Sequence, residues 1–165
     1  MERPLIISNT TPLINFAQIG RMNVLASLFG LITIPPSVVD ELGAKADLFP
    51  AAAQVPMMSG ISVMAPADRL LVRGLASRVH RGEAECLALA MEHPDSMLLL
   101  DDLAARELAA SNRLLFTGTL GCLVQAKSQG IISEIKPLLD ELRSKARFWI
   151  SEALEARILR DAGEH

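Results

Sequence analysis

Short aliphatic runs recur along this chain, with room for helices between them. Leu5-Ile6-Ile7, Leu31-Ile32-Thr33-Ile34, Met97-Leu98-Leu99-Leu100 and Leu114-Leu115-Phe116 are each too short for a helix and too uniformly apolar for a strand with one wet face. Strands of that kind belong to parallel sheets, whose crossover helices cover both sides. The expected class is therefore α/β, a three-layer α/β/α domain around a central, mainly parallel sheet.

The stretches between the runs carry helical signals. Thr11 can cap a helix that Pro12 opens. Ser37 to Leu42 starts another after Pro35-Pro36, and Pro66 to Val79 has helical spacing. Glu83 to Met91 and Asp101 to Ser111 follow, then Gly118 to Gln129, which Gly130 terminates. A helix is expected over roughly Ile135 to Ser144. Ser151 caps a final helix with Leu154, Ile158 and Leu159 inward. Ala44 to Gly60 reads as broken helix and loop, Ile61 to Met64 as a short edge strand, and Phe148-Trp149-Ile150 as a last strand. With 165 residues, half of them apolar, a single domain over 1–165 is the expectation.

Bulk properties remove several function classes. The net charge is −3, so no overall basic field draws the chain to nucleic acid, although a local patch would serve. Cys86 and Cys122 sit in apolar helical stretches outside any C-x-x-C pair, which suits buried thiols in a reducing compartment. Neither a secretory leader nor a membrane span is visible. A cytoplasmic location is expected.

The chemistry lies where strands end. Leu5-Ile6-Ile7-Ser8 hands over to Asn9-Thr10-Thr11, and Leu98-Leu99-Leu100 hands over to Asp101-Asp102. In open α/β sheets ligands sit at this carboxyl edge. If the first and fourth strands are neighbours, Asn9 and Asp101 emerge side by side, and Glu41 and Glu83 on flanking helices lean over the same edge. Each has a plain alternative: Asp101 as a helix cap, Glu83 as a charge favoured by the helix dipole, Glu41 as a solvated helix position. Asp102 has room to pair with Arg106 at i+4. Clustered carboxylates repel one another unless a cation neutralises them, and Mg²⁺ or Mn²⁺ suits oxygen ligands. Such an ion lowers the pKa of water and orients a scissile phosphate. His80, His93 and His165 are too scattered for a nucleophilic triad.

Ser8-Asn9-Thr10-Thr11-Pro12-Leu13-Ile14 resembles the opening motif of one prokaryotic branch of PIN-domain proteins, S-D-[ST]-[ST]-P-L-I. Ile34-Pro35 with Val38-Val39-Asp40-Glu41-Leu42, Arg81-Gly82-Glu83-Ala84-Glu85, Leu98-Leu99-Leu100-Asp101-Asp102, and Thr117-Gly118-Thr119-Leu120-Gly121 continue the likeness in order. The resemblance implies a PIN-like fold and metal-dependent ribonuclease chemistry on RNA. Many relatives are toxins held by an antitoxin protein. Carried over by position, Glu41, Glu83 and Asp101 are the catalytic acids. Together with Asn9 they form the oxygen set for Mg²⁺ or Mn²⁺, which Asp102 supplements. Thr10 or Thr11 would hold a water or phosphate beside the ion.

Position 9 departs from the family's pattern, with Asn where Asp is usual. An amide oxygen still ligates, but it brings no charge and accepts no proton. Two outcomes stay open. One is an attenuated nuclease in which Asp102 or Glu85 partly compensates. The other is a catalytically degenerate module that binds RNA or a protein. Arg69, Arg73, Arg78, His80 and Arg81 fall within thirteen residues that contain no acid and lead into Glu83. Arg69, Arg73 and Arg81 are the expected contacts to substrate phosphates, with a solvated helix face as the plain alternative. A nucleotide-binding module is the further alternative, on a weak glycine signal at Thr117 to Gly121. Leu48 to Met64 is a candidate homodimer surface or, equally, core.

Overall fold

The computed structural model describes residues 3–164. Five strands form one sheet: β1 (Ile6–Ser8), β2 (Ile32–Ile34), β3 (Ile61–Val63), β4 (Met97–Leu99) and β5 (Leu115–Thr117). All pairings are parallel and the spatial order is β3-β2-β1-β4-β5. The chain winds outward from β1 to β3, then returns past β1 to lay down β4 and β5. Ile7 stands opposite Thr33 on one side and Leu98 on the other. The strand order therefore reverses between β1 and β4, which opens a crevice beyond their carboxyl ends.

The helices are α1 (Thr10–Gln18), α2 (Met22–Phe29), α3 (Pro36–Ala44), α4 (Arg69–Ala76), α5 (Arg81–Glu92), α6 (Leu103–Ser111), α7 (Thr119–Ser128), α8 (Lys136–Lys145) and α9 (Glu152–Asp161). Ile7, Leu13, Phe16, Ile34, Leu87, Leu98, Leu99 and Leu100 have no exposed surface. Helix α5 is buried from Gly82 through Ala90 and packs against α3, α4, α6, β1 and β4. Its small residues, Gly82, Ala84, Cys86, Ala88 and Ala90, let it lie this deep. The three-layer α/β/α architecture expected from the apolar runs is the one found. Among the described residues, no helix is long and apolar enough to cross a membrane.

Some boundaries differ from expectation, for local reasons. Asn9, not Thr11, is the N-cap of α1, so Pro12 falls later in the first turn, where its missing N–H is still harmless. Asp68 caps α4 by accepting from the Leu71 amide at 3.0 Å, so that helix starts inside the expected range. Ala44 to Gly60 contains a 3₁₀ helix, Ala52–Met57, anchored by buried Ala52 and Val55. Phe148 to Ile150 is not a strand. Arg147 adopts φ 56°, which turns the chain back so that the Phe148 amide reaches the Leu142 carbonyl at 3.2 Å. That segment closes the end of α8 instead of pairing with a sheet edge, and Trp149 is left 82% exposed.

Candidate functional site

Asn9 stands at the reversal point. Its amide donates to the Leu99 carbonyl at 3.1 Å, which ties the end of β1 to the end of β4. As N-cap it has the position to bond the α1 amides with its side chain, and it does not. Asn9 is 3% exposed and its Oδ1 has no hydrogen-bond partner. A buried acceptor without a donor costs about 1–3 kcal/mol, so its orientation needs a reason.

Gly82, in the first turn of α5, faces that oxygen. A Cβ at this position would lie 3.3 Å from Asn9 Oδ1 and 3.1 Å from Glu41 Oε2. The missing side chain is what lets α5 approach both oxygens, and it brings Glu41 and Asn9 to one spot. Glu41 is aimed there by two contacts. The Thr10 hydroxyl donates to Oε2 at 2.7 Å, and Lys45 pairs with Oε1 at 3.0 Å one turn along α3. Glu83 follows Gly82, is 7% exposed, and has an unpartnered Oε2. Cys86, one turn further, reports the local charge. Burial pushes its thiol well above its ordinary value, and the negative charges of Glu83, Glu85 and Glu41 push it further. Its sulfur donates to the Ser8 carbonyl at 3.4 Å.

Asp101 occupies the other wall, under different control. Its Oδ1 accepts from the Thr119 amide at 2.8 Å and its Oδ2 from the Thr119 hydroxyl at 2.6 Å. Asn15 Nδ2 donates to that hydroxyl oxygen at 2.9 Å and lies 3.4 Å from Asp101 Oδ2. Burial holds the Asp101 carboxyl above its ordinary value, with Thr119 and the charge of Arg106 pulling the other way. Asn15 and Thr119 are both buried and are absent from the set read off the sequence. A polar residue inside Leu13-Ile14-Asn15-Phe16 was the available signal for Asn15, because buried amides need partners.

The remaining acids have other employment. Asp102 is exposed and caps α6, accepting from the Ala105 amide at 2.9 Å. Arg106 lies over the Phe116 ring at 5.2 Å rather than beside Asp102. Glu85 accepts from the Ser37 amide at 3.0 Å and from the Ser37 hydroxyl, joining α5 to the start of α3. Thr11 is exposed. Arg69, Arg73 and Arg81 share a cleft of about 610 Å³ with Pro36, Val72 and Glu85, and Arg81 Nε lies 3.6 Å from Glu85 Oε1.

The oxygens thus fall into two sets: Asn9 and Glu41 facing Gly82, with Glu83 the next residue of α5, and Asp101 with Thr119 and Asn15. Among the described residues, no three His, Cys, Asp or Glu side chains form a metal-holding group. On the Gly82 side only two of the three residues are carboxylates, because position 9 is an amide. The two unpartnered acceptors there, Asn9 Oδ1 and Glu83 Oε2, nonetheless fit a hard cation, which supplies what their missing donors do not.

No curated protein matches the chain. A family model described as a PIN domain matches residues 5–164. The parallel sheet and the acids at its carboxyl edge agree with that match, and the chain belongs to the PIN-domain family, whose members are generally nuclease-like.

Proposed function

We propose that this protein is a Mg²⁺- or Mn²⁺-dependent ribonuclease that hydrolyses RNA phosphodiesters, attenuated by the amide at position 9. The observation that carries this reading is two buried, donor-less oxygens, Asn9 Oδ1 where the sheet order reverses and Glu83 Oε2 in the first turn of α5. Asn9, Glu41 and Glu83 are the residues that would hold the ion, with Asp101 proposed to face it from its separate set on Thr119. When bound, it supplies positive charge against the phosphate and against the crowded carboxylates.

The chain's own groups do the rest. Thr10 spends its hydroxyl on holding Glu41, so its part is positional. Asn9 takes up no proton, so proton acceptance falls to the carboxylates of the site, Glu41, Glu83 or Asp101. Asp102 and Glu85, bound to Ala105 and Ser37, are poorly placed to replace the missing charge. The cleft lined by Arg69, Arg73, Arg81 and Glu85 is the proposed path of the RNA backbone.

The same reading covers action in a reducing cytoplasm, supported by two buried free thiols, and control by an antitoxin protein. It also covers pairing of two copies through Leu48 to Met64, where Leu48 and Met57 are 55% and 87% exposed. Ala52 and Val55 of that segment are core.

Cleavage of a mixed RNA pool with Mn²⁺ tests the proposal on the native chain, Asn9→Asp and Asp101→Ala. Weak native cleavage, a gain for Asn9→Asp and a loss for Asp101→Ala are expected. If no variant cuts, the nuclease reading falls, and RNA retention by the same proteins then marks a degenerate binding module.

A further inference from the structure

We infer that Asn15 and Thr119 are positioning residues for Asp101, acting as a directed hydrogen-bond relay from α1 through α7 to the end of β4. The inference rests on the reading of Asp101 as a member of the site.

The direction of the relay follows from the chemistry of a hydroxyl, which has one hydrogen and two lone pairs. Asn15 Nδ2 is a donor only, and it occupies a lone pair of Thr119 Oγ1 at 2.9 Å. The Thr119 hydrogen therefore points at its other neighbour, Asp101 Oδ2, at 2.6 Å. The Thr119 amide, in the first turn of α7, takes Oδ1 at 2.8 Å. Thr119 thus grips the carboxylate through both oxygens, with the positive end of α7 behind it and Asn15 Nδ2 adding a longer contact to Oδ2 at 3.4 Å. The turn is also shaped to the carboxylate: a Cβ on Gly118 would lie 2.5 Å from Asp101 Oδ1 and 3.1 Å from the Leu100 carbonyl. Only glycine permits the carboxylate to lie against the β5–α7 turn. Thr119 has no exposed surface and Asn15 is 2% exposed. Water is therefore excluded as a substitute donor, and the carboxylate's free lone pairs are confined to directions away from Thr119. Outer partners of this sort typically change metal affinity or activity by about 10–100-fold when removed.

Four variants test the relay: Thr119→Val, Thr119→Ser, Asn15→Leu and Gly118→Ala. Three readouts are taken: RNA cleavage with Mn²⁺, Mn²⁺ affinity by electron paramagnetic resonance, and the Asp101 carboxyl resonance by ¹³C NMR in metal-free protein. Thr119→Val is expected to lose roughly 10–100-fold in cleavage and in Mn²⁺ affinity and to move the Asp101 resonance. Thr119→Ser, which keeps the hydroxyl, should recover most of each. Asn15→Leu leaves the hydroxyl free to turn and should give a smaller loss in the same sense. Gly118→Ala should move the Asp101 resonance as Thr119→Val does. If Thr119→Val leaves that resonance and the Mn²⁺ affinity unchanged while Asp101→Ala abolishes cleavage, the relay is overturned and the site stands. If the native protein neither binds Mn²⁺ nor cuts, the site itself is wrong and the relay's functional role falls with it.

Discussion

Thr10 donates its hydroxyl to Glu41 across 31 residues of sequence, at 2.7 Å. The contact links the start of α1 to the middle of α3 and decides where one carboxylate oxygen points. Lys45 holds the other oxygen at 3.0 Å and draws it the opposite way, toward the exposed end of α3. Replacing Thr10 by valine removes one side of this balance. A stability loss of about 1 kcal/mol is expected in urea melts, together with weaker Mn²⁺ binding as Glu41 turns to Lys45. Unaltered Mn²⁺ affinity would show that Glu41 does not need Thr10.

Asn9→Asp places a charge where a buried amide oxygen already has no donor, beside Glu41 and Glu83. Without a divalent ion the variant should be less stable than native by roughly 1–3 kcal/mol, the cost of an unsatisfied buried group. With Mn²⁺ the order should reverse, because the added charge strengthens binding to the folded state only. Thermal melts of both proteins with and without Mn²⁺ check this. A variant that is destabilised equally under both conditions would rule out an ion at position 9.

Gly82→Ala separates stability from binding. Alanine favours a helix over glycine by about 0.5–1 kcal/mol, and the melting temperature should hold or rise. The new methyl would lie 3.1 Å from Glu41 Oε2 and 3.3 Å from Asn9 Oδ1, so both oxygens must shift. Mn²⁺ affinity should fall about tenfold. Titration calorimetry beside a thermal melt reads both effects, and a joint fall in stability and affinity would mean general damage instead.

Arg69→Ala with Arg73→Ala probes the cleft. If each arginine neutralises one phosphate of single-stranded RNA, the slope of log affinity against log salt should flatten by about 1.4. Binding measured at several salt concentrations decides it, and an unchanged slope removes these residues from the path.

Acid should loosen the junction of α8 and α9. Glu155 is held down at about 2 by its hydrogen bonds to Arg143 and Lys136, and the latter spans 2.9 Å. A carboxyl that titrates lower in the folded chain stabilises it at neutral pH. That contribution is complete above the ordinary value of 4.5 and fades as pH falls toward 2. Glu164 adds to it in the same direction. Burial works against its charge, but Lys127 and the Ile135 and Lys136 amides outweigh that. Urea melts of native and Glu155→Gln should differ at pH 7, with the gap narrowing below 4.5 and closing only below about pH 2. A gap that persists at low pH would assign the effect to packing.

The fold was legible because its strands are nearly all aliphatic and its helices separate them. The site's position was legible because Asn9 and Asp101 end two such runs. What decides the site's chemistry was harder to read. Thr119 stands in a segment read only as a family motif and a weak glycine signal, and the β4–β5 pairing reveals that it lies beside Asp101. Asn15 sat in an apolar helix, and its partner is 104 residues away. Phe148-Trp149-Ile150 has the composition of a strand, but strand identity depends on an available neighbour, and the turn at Arg147 led the chain elsewhere. Arg106 is four residues from Asp102 on paper, yet it prefers the face of Phe116.

Asp101 and Asp102 are chemically identical and adjacent, yet they serve different masters. One answers to Thr119 across the sheet, the other to Ala105 in its own helix. Their division of labour is written in chain direction rather than in residue type. Deleting either would leave one aspartate to fill two posts. A one-residue slip of β4 would therefore hand Asp102 to Thr119 and leave α6 without its cap.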